Sequence, residues 1–405
     1  MAHLASLSST RLALTLPLFA AASLALVACG GAETSGSGGT GGATSTGGST
    51  ATGGTPANEA QGCSADVKLL ATPDDPEARG PWPVGAKTVT VDTLTAEIWY
   101  PAKTGSDAGK DKVIYDPRQW LPASEMGKIP DEATPYQECG CYRDLPLDEQ
   151  HGAYPVIVFI HGTAGFRTQS LAHMEHWASR GFVVVAADYP GLYLGDALDF
   201  NLSNDLPGDT KKILSALGAP SGDLAFLKDH IDLTHMGLSG HSAGGKAVQG
   251  FGDTAGVRVI VPMAAGGADP SPTLESTLIL GGKNDQVVKY ENQLAGYDAS
   301  GPTKRLVGIS NTGHLFPTDL CWAQNAMGQN LVEVAQMYDI KNANLANGLF
   351  DCPAGQLDRD KTRAIVNYAT TAAFEEKLIC KAGTPFEGIQ TKYPDIAEYK
   401  EELAK

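Results

Sequence analysis

The sequence predicts an α/β fold in which a mostly parallel central sheet carries helices on both faces. Continuous apolar runs, such as residues 156–160 and 183–187, are typical of strands that are buried on both sides. These runs alternate with stretches of helical spacing, which indicates a parallel sheet with crossover helices. A third observation is the pentapeptide at 240–244, which separates a short apolar run from a helix-compatible run.

The predicted elements run in chain order from a short hairpin to a long C-terminal helix. Residues 88–91 and 96–100 are read as two antiparallel strands joined by a tight turn. Residues 102–152 are interrupted by Pro and Gly, which predicts an irregular insertion near a site mouth. The other predicted strands are 156–160, 183–187, 236–239, 257–262, 278–281 and 305–309, and the predicted helices are 170–179, 209–217, 224–230, 246–251, 330–338 and 362–378.

The first 62 residues are expected to lie outside the folded domain. Residues 1–28 place Arg11 before an apolar run that is too short for a good membrane span, which indicates a signal peptide. The run ends Leu-Val-Ala-Cys29, which resembles a bacterial lipobox and implies cleavage before Cys29 and a lipid on its sulfur. An ordinary signal peptide with an incidental cysteine is the alternative. Residues 29–62 predict a flexible Gly/Ser/Thr linker, which leaves 63–405 as the folded domain.

The charge and the cysteine content limit the possible binding partners and indicate the compartment of the protein. The formal net charge of −16 describes an acidic surface that repels phosphate backbones, so no nucleic-acid partner is expected. Six cysteines remain after Cys29, and an even number in an exported chain favours disulfides. We expect Cys321 to pair with Cys352, since both flank one helix-and-loop segment. A lipid on Cys29 would make the membrane of the bacterial cell envelope a partner, and Gly30 in the next position indicates the outer membrane by resemblance to sorting rules.

Ser242 is the predicted nucleophile. It is the centre of Gly-x-Ser-x-Gly, and a nucleophile elbow requires this serine on a sharp strand-to-helix turn. Gly240 and Gly244 would let neighbouring backbone approach the turn closely. A Gly-rich strand-to-helix turn without chemistry is the alternative for the pentapeptide alone.

Asp285 and His314 are the predicted acid and base. Each lies on a loop just after a predicted strand, and in a parallel sheet such loops share one edge with the Ser242 turn. The chain order Ser, Asp, His is that of the α/β-hydrolases. Taken singly, Asp285 could be a turn residue and His314 a loop histidine.

The predicted oxyanion hole consists of the backbone N–H groups of Thr163 and Ala243. The first follows the strand at 156–160, and the second follows the nucleophile. His161 is expected to shape its loop. No cofactor or metal is expected, and His173 and His176 are interpreted as a surface pair on a helix.

Several segments resemble known ester-hydrolase families. Residues 80–85 (GPWPVG), 97–101 (EIWYP) and 179–184 (SRGFVV) resemble the platelet-activating-factor acetylhydrolase-like and dienelactone-hydrolase-like families, as does Gly313-His314. Residues 277–285 are similar to the acid-bearing stretch of bacterial cutinases and polyester hydrolases. The resemblance covers 78–320 and implies an α/β-hydrolase fold and carboxylic-ester hydrolysis.

Two departures from these families sharpen the expectation. Animal acetylhydrolases carry their acid just after the strand equivalent to 257–262, where this chain has no carboxylate before Asp269. Asp285 is therefore the preferred acid. Residues 263–270 also lack the aromatic side chain that cutinase-like polyester hydrolases usually offer to the substrate ring.

The combined expectation is an exported, lipid-anchored serine esterase that works through an acyl-enzyme. Residues 102–152 and 189–220 are large enough to roof the cleft, so short acyl esters, acetate to about hexanoate, are the expected substrates. A lactonase or dienelactone-type enzyme, an amidase or peptidase, and a cutinase-like polyester hydrolase remain open. A catalytically silent surface-binding module on the same fold is the alternative from another class.

Overall fold

A computed structural model describes residues 59–404 of the chain. The strands are β1 Glu59–Gln61, β2 Lys68–Leu70, β3 Val84–Val91, β4 Leu94–Pro101, β5 Ile114–Tyr115, β6 Gln137–Glu138, β7 Tyr142–Arg143, β8 Tyr154–Ile160, β9 Val183–Ala187, β10 Ile231–His241, β11 Val257–Met263, β12 Ser276–Gly282, β13 Lys304–Ile309 and β14 Ile396–Glu402. The α-helices are α1 Leu171–Ser179, α2 Leu194–Leu198, α3 Leu206–Gly218, α4 Ala243–Val248, α5 Tyr290–Ala299, α6 Leu331–Met337, α7 Arg359–Leu378 and α8 Ile389–Lys392. None of the described helices is both long enough and apolar enough to cross a membrane.

Ten of the described strands form one sheet, in the order β14-β13-β12-β11-β10-β8-β9-β4-β3-β7. From β13 to β9 every neighbouring pair is parallel. The pairs β14–β13, β9–β4 and β4–β3 are antiparallel, and the short β7 pairs parallel with β3. Helix α1 packs on α7 and α3 on α4, and these helices cover the two faces of the sheet. The loops that follow β8, β10, β12 and β13 therefore meet at one edge, where parallel strands end.

The core strands are apolar because both of their faces are covered. Every residue of β8, β9 and β12 is buried, which explains their continuous apolar runs. Gly237 of β10 lies under α7, and a Cβ there would be 2.7 Å from the ring of Phe374. This close packing fixes the strand that leads to Ser242.

The structure confirms the predicted alternation and the antiparallel β3–β4 hairpin, but some elements differ. Residues 224–230, predicted as a helix, hold the end of a 3-10 helix at Gly222–Leu227 and then lead into β10, which is longer than the predicted strand. The insertion 102–152 contains short strands and 3-10 turns within irregular chain. Strand β14 has no continuous apolar run because it lies at the sheet edge, and the prediction lacks it.

The six cysteines of the described chain form three disulfides. The pairs are Cys63–Cys380, Cys139–Cys141 and Cys321–Cys352, and the last confirms the predicted pair. The predicted signal peptide, the lipid site Cys29 and most of the linker lie outside the described residues.

Candidate active site

Ser242 occupies a sharp turn between β10 and α4. Its φ of 54° and ψ of −119° are rarely adopted by residues other than glycine, and strain of about 1–3 kcal/mol at such a residue is typical of functional sites. The turn requires the flanking glycines. A Cβ on Gly240 would lie 2.4 Å from the carbonyl carbon of Gly244, and one on Gly244 would lie 2.1 Å from the carbonyl oxygen of Ile160.

Asp285 and His314 are brought into direct contact by the loops after β12 and β13. Nδ1 of His314 lies 2.9 Å from Oδ2 of Asp285, and both residues are buried. The other carboxylate oxygen accepts hydrogen bonds from the N–H groups of Val287 and Val288, over 2.9 and 2.8 Å. These bonds hold the carboxylate so that it orients the imidazole through Nδ1, which leaves Nε2 for proton transfer.

Ser242 and His314 line the same cavity. Among the bonds of residues 59–404, none joins the Ser242 hydroxyl to the His314 ring, a separation that is common before substrate binds. Asp269, the other candidate acid, is exposed, and its carboxylate accepts no bond from His314 in the described structure. The geometry therefore favours Asp285 as the partner of the histidine.

The two predicted oxyanion donors lie at this edge of the sheet, Thr163 in the loop after β8 and Ala243 at the start of α4. Thr163 is exposed, and its N–H donates to no protein acceptor in the described part of the chain. Ala243 is the first residue of α4, so its N–H has no acceptor within that helix. A Cβ on Gly162 would lie 3.2 Å from Cβ of Ser242, which places the Thr163 loop against the nucleophile turn.

Two buried histidines support these loops. His161 donates from Nδ1 to the carbonyl oxygen of Gly162 over 2.8 Å, and its Nε2 accepts from the N–H of Tyr189 over 3.2 Å. It therefore shapes the oxyanion loop, as expected. His241 donates from Nε2 to the carbonyl oxygen of His314 over 3.0 Å. Burial lowers the pKa of His161 and His241, which favours the neutral form of both rings. In the sequence, His241 is only the unspecified residue between Gly240 and Ser242 of the Gly-x-Ser-x-Gly motif, which does not indicate this contact.

A cavity of about 120 Å³ lies beside Ser242 and His314. Its lining is almost wholly apolar. Three separate segments roof it, with Leu121 from the insertion 102–152, Leu198 from α2, and Val334 from α6. The first two segments match the predicted covering of the cleft, whereas the contribution of residues 331–350 is additional.

The roof has a small hydrophobic core of its own. Leu121, Leu198, Val334 and Ile340 are buried against one another. The insertion is also anchored to the main domain, because Trp120 stacks on Phe166 with ring centres 4.2 Å apart. The cavity is therefore partly covered by packed side chains, so the site resembles a roofed pocket more than a flat surface.

Arg118 is the one permanently charged residue among those that line this cavity in the described chain. Its guanidinium binds the carboxylate of Asp116 and donates to the carbonyl oxygen of Ile129 over 2.8 Å. The carboxylate of Asp116 therefore neutralises the positive charge of Arg118 within the roof. A charged group on a substrate would find no unpaired partner here.

In residues 59–404, no group of three or more His, Cys, Asp or Glu side chains could hold a metal ion. The prediction that His173 and His176 form a surface pair is wrong, because both are buried. His173 bonds Asn367 through Nδ1 over 2.6 Å, and His176 donates to the carbonyl oxygen of Pro76 over 2.9 Å. Burial lowers the pKa of His176 to about 3.

Comparison with known proteins agrees with the fold. The family model for chlorophyllase matches residues 145–256, and the model for platelet-activating factor acetylhydrolase, isoform II, matches residues 72–190. No curated protein sequence gives a significant match. A ferulic acid esterase from Streptomyces cinnamoneus has a similar structure, with a TM-score of 0.52 and 16% sequence identity over 81% of this chain and 98% of that one. At this identity the likeness shows the fold.

The fold and the family matches define the chain as an α/β-hydrolase. Parts of the chain are similar to families of carboxylic-ester hydrolases, residues 72–190 to platelet-activating factor acetylhydrolase, isoform II, and residues 145–256 to chlorophyllase.

Proposed function

We propose that the chain is a serine carboxylic-ester hydrolase that uses Ser242, His314 and Asp285. The observation that carries the proposal is the 2.9 Å contact between His314 and Asp285 beside the cavity that Ser242 lines. The strained backbone of Ser242 at the end of β10 supports its role as nucleophile.

The proposed reaction has two halves. The Ser242 hydroxyl attacks the ester carbonyl while Nε2 of His314 takes its proton, and the N–H groups of Thr163 and Ala243 stabilise the oxyanion. The tetrahedral intermediate expels the alcohol, which receives that proton. Water then attacks the acyl-enzyme with the same base, releasing the carboxylic acid and the free serine. Asp285 stabilises the imidazolium in both halves.

The partly roofed apolar cavity supports short, uncharged acyl groups as the substrate class. Each methylene that fits contributes about 0.8 kcal/mol of burial, whereas one that meets the roof clashes. The paired guanidinium of Arg118 offers nothing to a negatively charged acyl chain. We therefore propose that esters from acetate to about hexanoate are preferred and that polyester film is a poor substrate.

The test is kcat/KM for p-nitrophenyl acetate, butyrate, octanoate and palmitate, with amorphous polyester film in parallel. The proposal predicts a maximum at the short chains and slow film erosion. A steady rise to palmitate, or rapid erosion of the film, would show that the roof does not limit the acyl chain. Ser242→Ala is the blank for background hydrolysis.

We also propose that the chain is exported and anchored by lipid on Cys29 in the bacterial cell envelope, at the outer membrane where the host has one. The three disulfides support an oxidising compartment. Full-length protein from membranes should carry a diacylglyceryl group on Cys29 by mass spectrometry and partition into detergent. Cys29→Ala should abolish both. An unmodified Cys29 in mature, membrane-extracted protein would contradict the anchor while leaving the esterase proposal intact.

A further inference from the structure

The carboxylate of Asp351 joins the two loops that carry Asp285 and His314. Its Oδ2 atom accepts hydrogen bonds from the N–H of His314 over 2.8 Å and from the N–H of Gln286 over 3.0 Å. Gln286 directly follows Asp285 in the chain. One oxygen atom therefore contacts both loops beside their functional side chains.

We propose that Asp351 is a positioning residue for the acid–base pair, an inference that rests on the proposed function. It acts through backbone N–H groups and touches no reacting atom. Hydrogen bonds to a charged acceptor are about twice as strong as neutral ones, so this oxygen holds the two loops at a fixed spacing. The contact between His314 and Asp285 depends on that spacing.

The loops have a second connection, which matters for the variants. The N–H of Asn284 donates to the carbonyl oxygen of Thr312 over 3.0 Å, nearer the strands. Loss of the Asp351 carboxylate should therefore leave the loops paired at their base. What it should change is the alignment of the segments that carry the side chains.

Asp351 is itself held firmly against the His314 loop. Its neighbour Cys352 is bonded to Cys321, and the N–H of Leu357 donates to the carbonyl oxygen of Asn311 over 2.7 Å. A Cβ on Gly313 would lie 2.6 Å from the carbonyl oxygen of Asp351. Residues 351–357 are thus held in place tightly enough for Asp351 to fix the positions of the two loops.

The same segment continues from the roof of the cavity. A 3-10 helix at Ala343–Gly348 precedes it, and Ala346, Leu349 and Phe350 line the cavity just before Asp351. The roof and the acid–base pair therefore share one covalent and hydrogen-bonded connection.

The test compares Asp351→Ala with Asp351→Asn and with the control Asp358→Ala. The carboxylate of Asp358 also accepts from two backbone N–H groups, those of Asp360 and Lys361, but in the described structure it has no hydrogen bond to either loop. Asp351→Ala should lower kcat by roughly 10- to 100-fold, since a misplacement of about 1 Å can cost 10²-fold, with KM nearly unchanged. Asp351→Asn should recover most of the loss because its amide oxygen can accept both bonds. Asp358→Ala should keep kcat.

A second readout does not require turnover. The proton between Nδ1 of His314 and Asp285 should give a downfield proton NMR resonance in full-length protein, assigned by its loss in Asp285→Ala. That resonance should shift or broaden in Asp351→Ala but not in Asp358→Ala. If wild-type protein lacks esterase activity but the resonance responds in this way, the proposed function fails and the positioning role stands.

Unchanged kcat and an unchanged resonance in Asp351→Ala would overturn the positioning role even in an active esterase. A higher KM with an unchanged kcat in Asp351→Ala would also overturn it. If Asp351→Ala does not fold, Asp351→Glu decides, because it keeps the charge but displaces the oxygen by one methylene. Wild-type kcat and resonance in the Glu variant would contradict the proposal.

Discussion

His241 donates a hydrogen bond from Nε2 to the carbonyl oxygen of His314 over 3.0 Å, and the two rings lie 4.8 Å apart between centres. The bond links the nucleophile turn directly to the loop of the proposed base. A carbonyl oxygen can only accept a hydrogen bond, so Nε2 of His241 carries a proton. Burial and the neighbouring His314 lower its pKa well below the ordinary value.

The effect of replacing His241 should therefore depend on whether the new side chain can still donate a hydrogen bond to the carbonyl oxygen of His314. His241→Leu leaves a buried carbonyl unpaired, and we expect kcat to fall roughly five- to tenfold. His241→Gln can place an amide N–H near the Nε2 position and should retain most of the activity. His235→Gln, on the same strand but bonded to Asp232, is the matched control. Equal activity of the Leu and Gln variants would show that the bond does not matter.

A second prediction concerns which aspartate, Asp285 or Asp269, is the partner of His314 in the proposed triad. Asp285→Asn keeps the shape but offers the wrong partner to Nδ1 of His314, so kcat/KM should fall by about 10⁴-fold. Asp269→Asn should change little, because Asp269 is exposed and not bonded to the histidine. Kinetics with p-nitrophenyl butyrate separate the two candidates. A large loss in Asp269→Asn with normal turnover in Asp285→Asn would reverse the assignment.

The nucleophile turn gives a prediction about stability. Gly244→Ala places a methyl group 2.1 Å from the carbonyl oxygen of Ile160, so the turn must distort. We expect a lower melting temperature and loss of activity. Gly250→Ala is the control, since the nearest atom to its Cβ is 3.7 Å away. Thermal unfolding of both variants is the measurement, and equal melting temperatures would contradict the packing argument.

Buried neutral histidines predict a loss of stability in acid. The pKa of His176 falls from an ordinary 6.5 to about 3 in the folded chain because burial disfavours its charged form. As pH falls below about 6.5, the unfolded chain takes up a proton that the folded chain excludes, so stability decreases towards pH 3. His161, His173 and His241 shift in the same direction.

The variant His176→Gln isolates this effect. Its amide can donate to the carbonyl oxygen of Pro76 without titrating, so its melting temperature should decline less than that of wild type between pH 7 and pH 4. The partly exposed His235→Gln serves as the comparison. The same pH slope in wild type and His176→Gln would show that burial of this ring does not set the acid stability.

The fold and the three proposed catalytic residues could be predicted because their signals are local. Ser242, Asp285 and His314 each follow an apolar strand, and a parallel sheet places such strand ends together. The antiparallel hairpin also follows from the spacing of its two strands. These features need only the order of elements along the chain.

Other features depend on contacts that distant segments make. Asp351 lies in an irregular stretch, and its role exists only because residues 351–357 return to the His314 loop. His241 bonds a backbone oxygen, which leaves no mark in the sequence. Residues 331–350 join the roof through the buried side chains Val334, Ile340 and Ala343, whose partners come from two other segments. Residues 224–230 have helical composition, but β10 begins at Ile231 and leaves room only for a 3-10 turn.

The most direct test of the account is covalent labelling of the nucleophile. Full-length wild-type protein treated with a fluorophosphonate should carry one adduct, located on Ser242 by peptide mass spectrometry. Ser242→Ala should not be labelled, and both Ser242→Ala and His314→Ala should lose turnover of p-nitrophenyl butyrate by about 10⁴-fold or more with the fold intact. No adduct on wild type, an adduct on another residue, or normal turnover in Ser242→Ala would contradict the account.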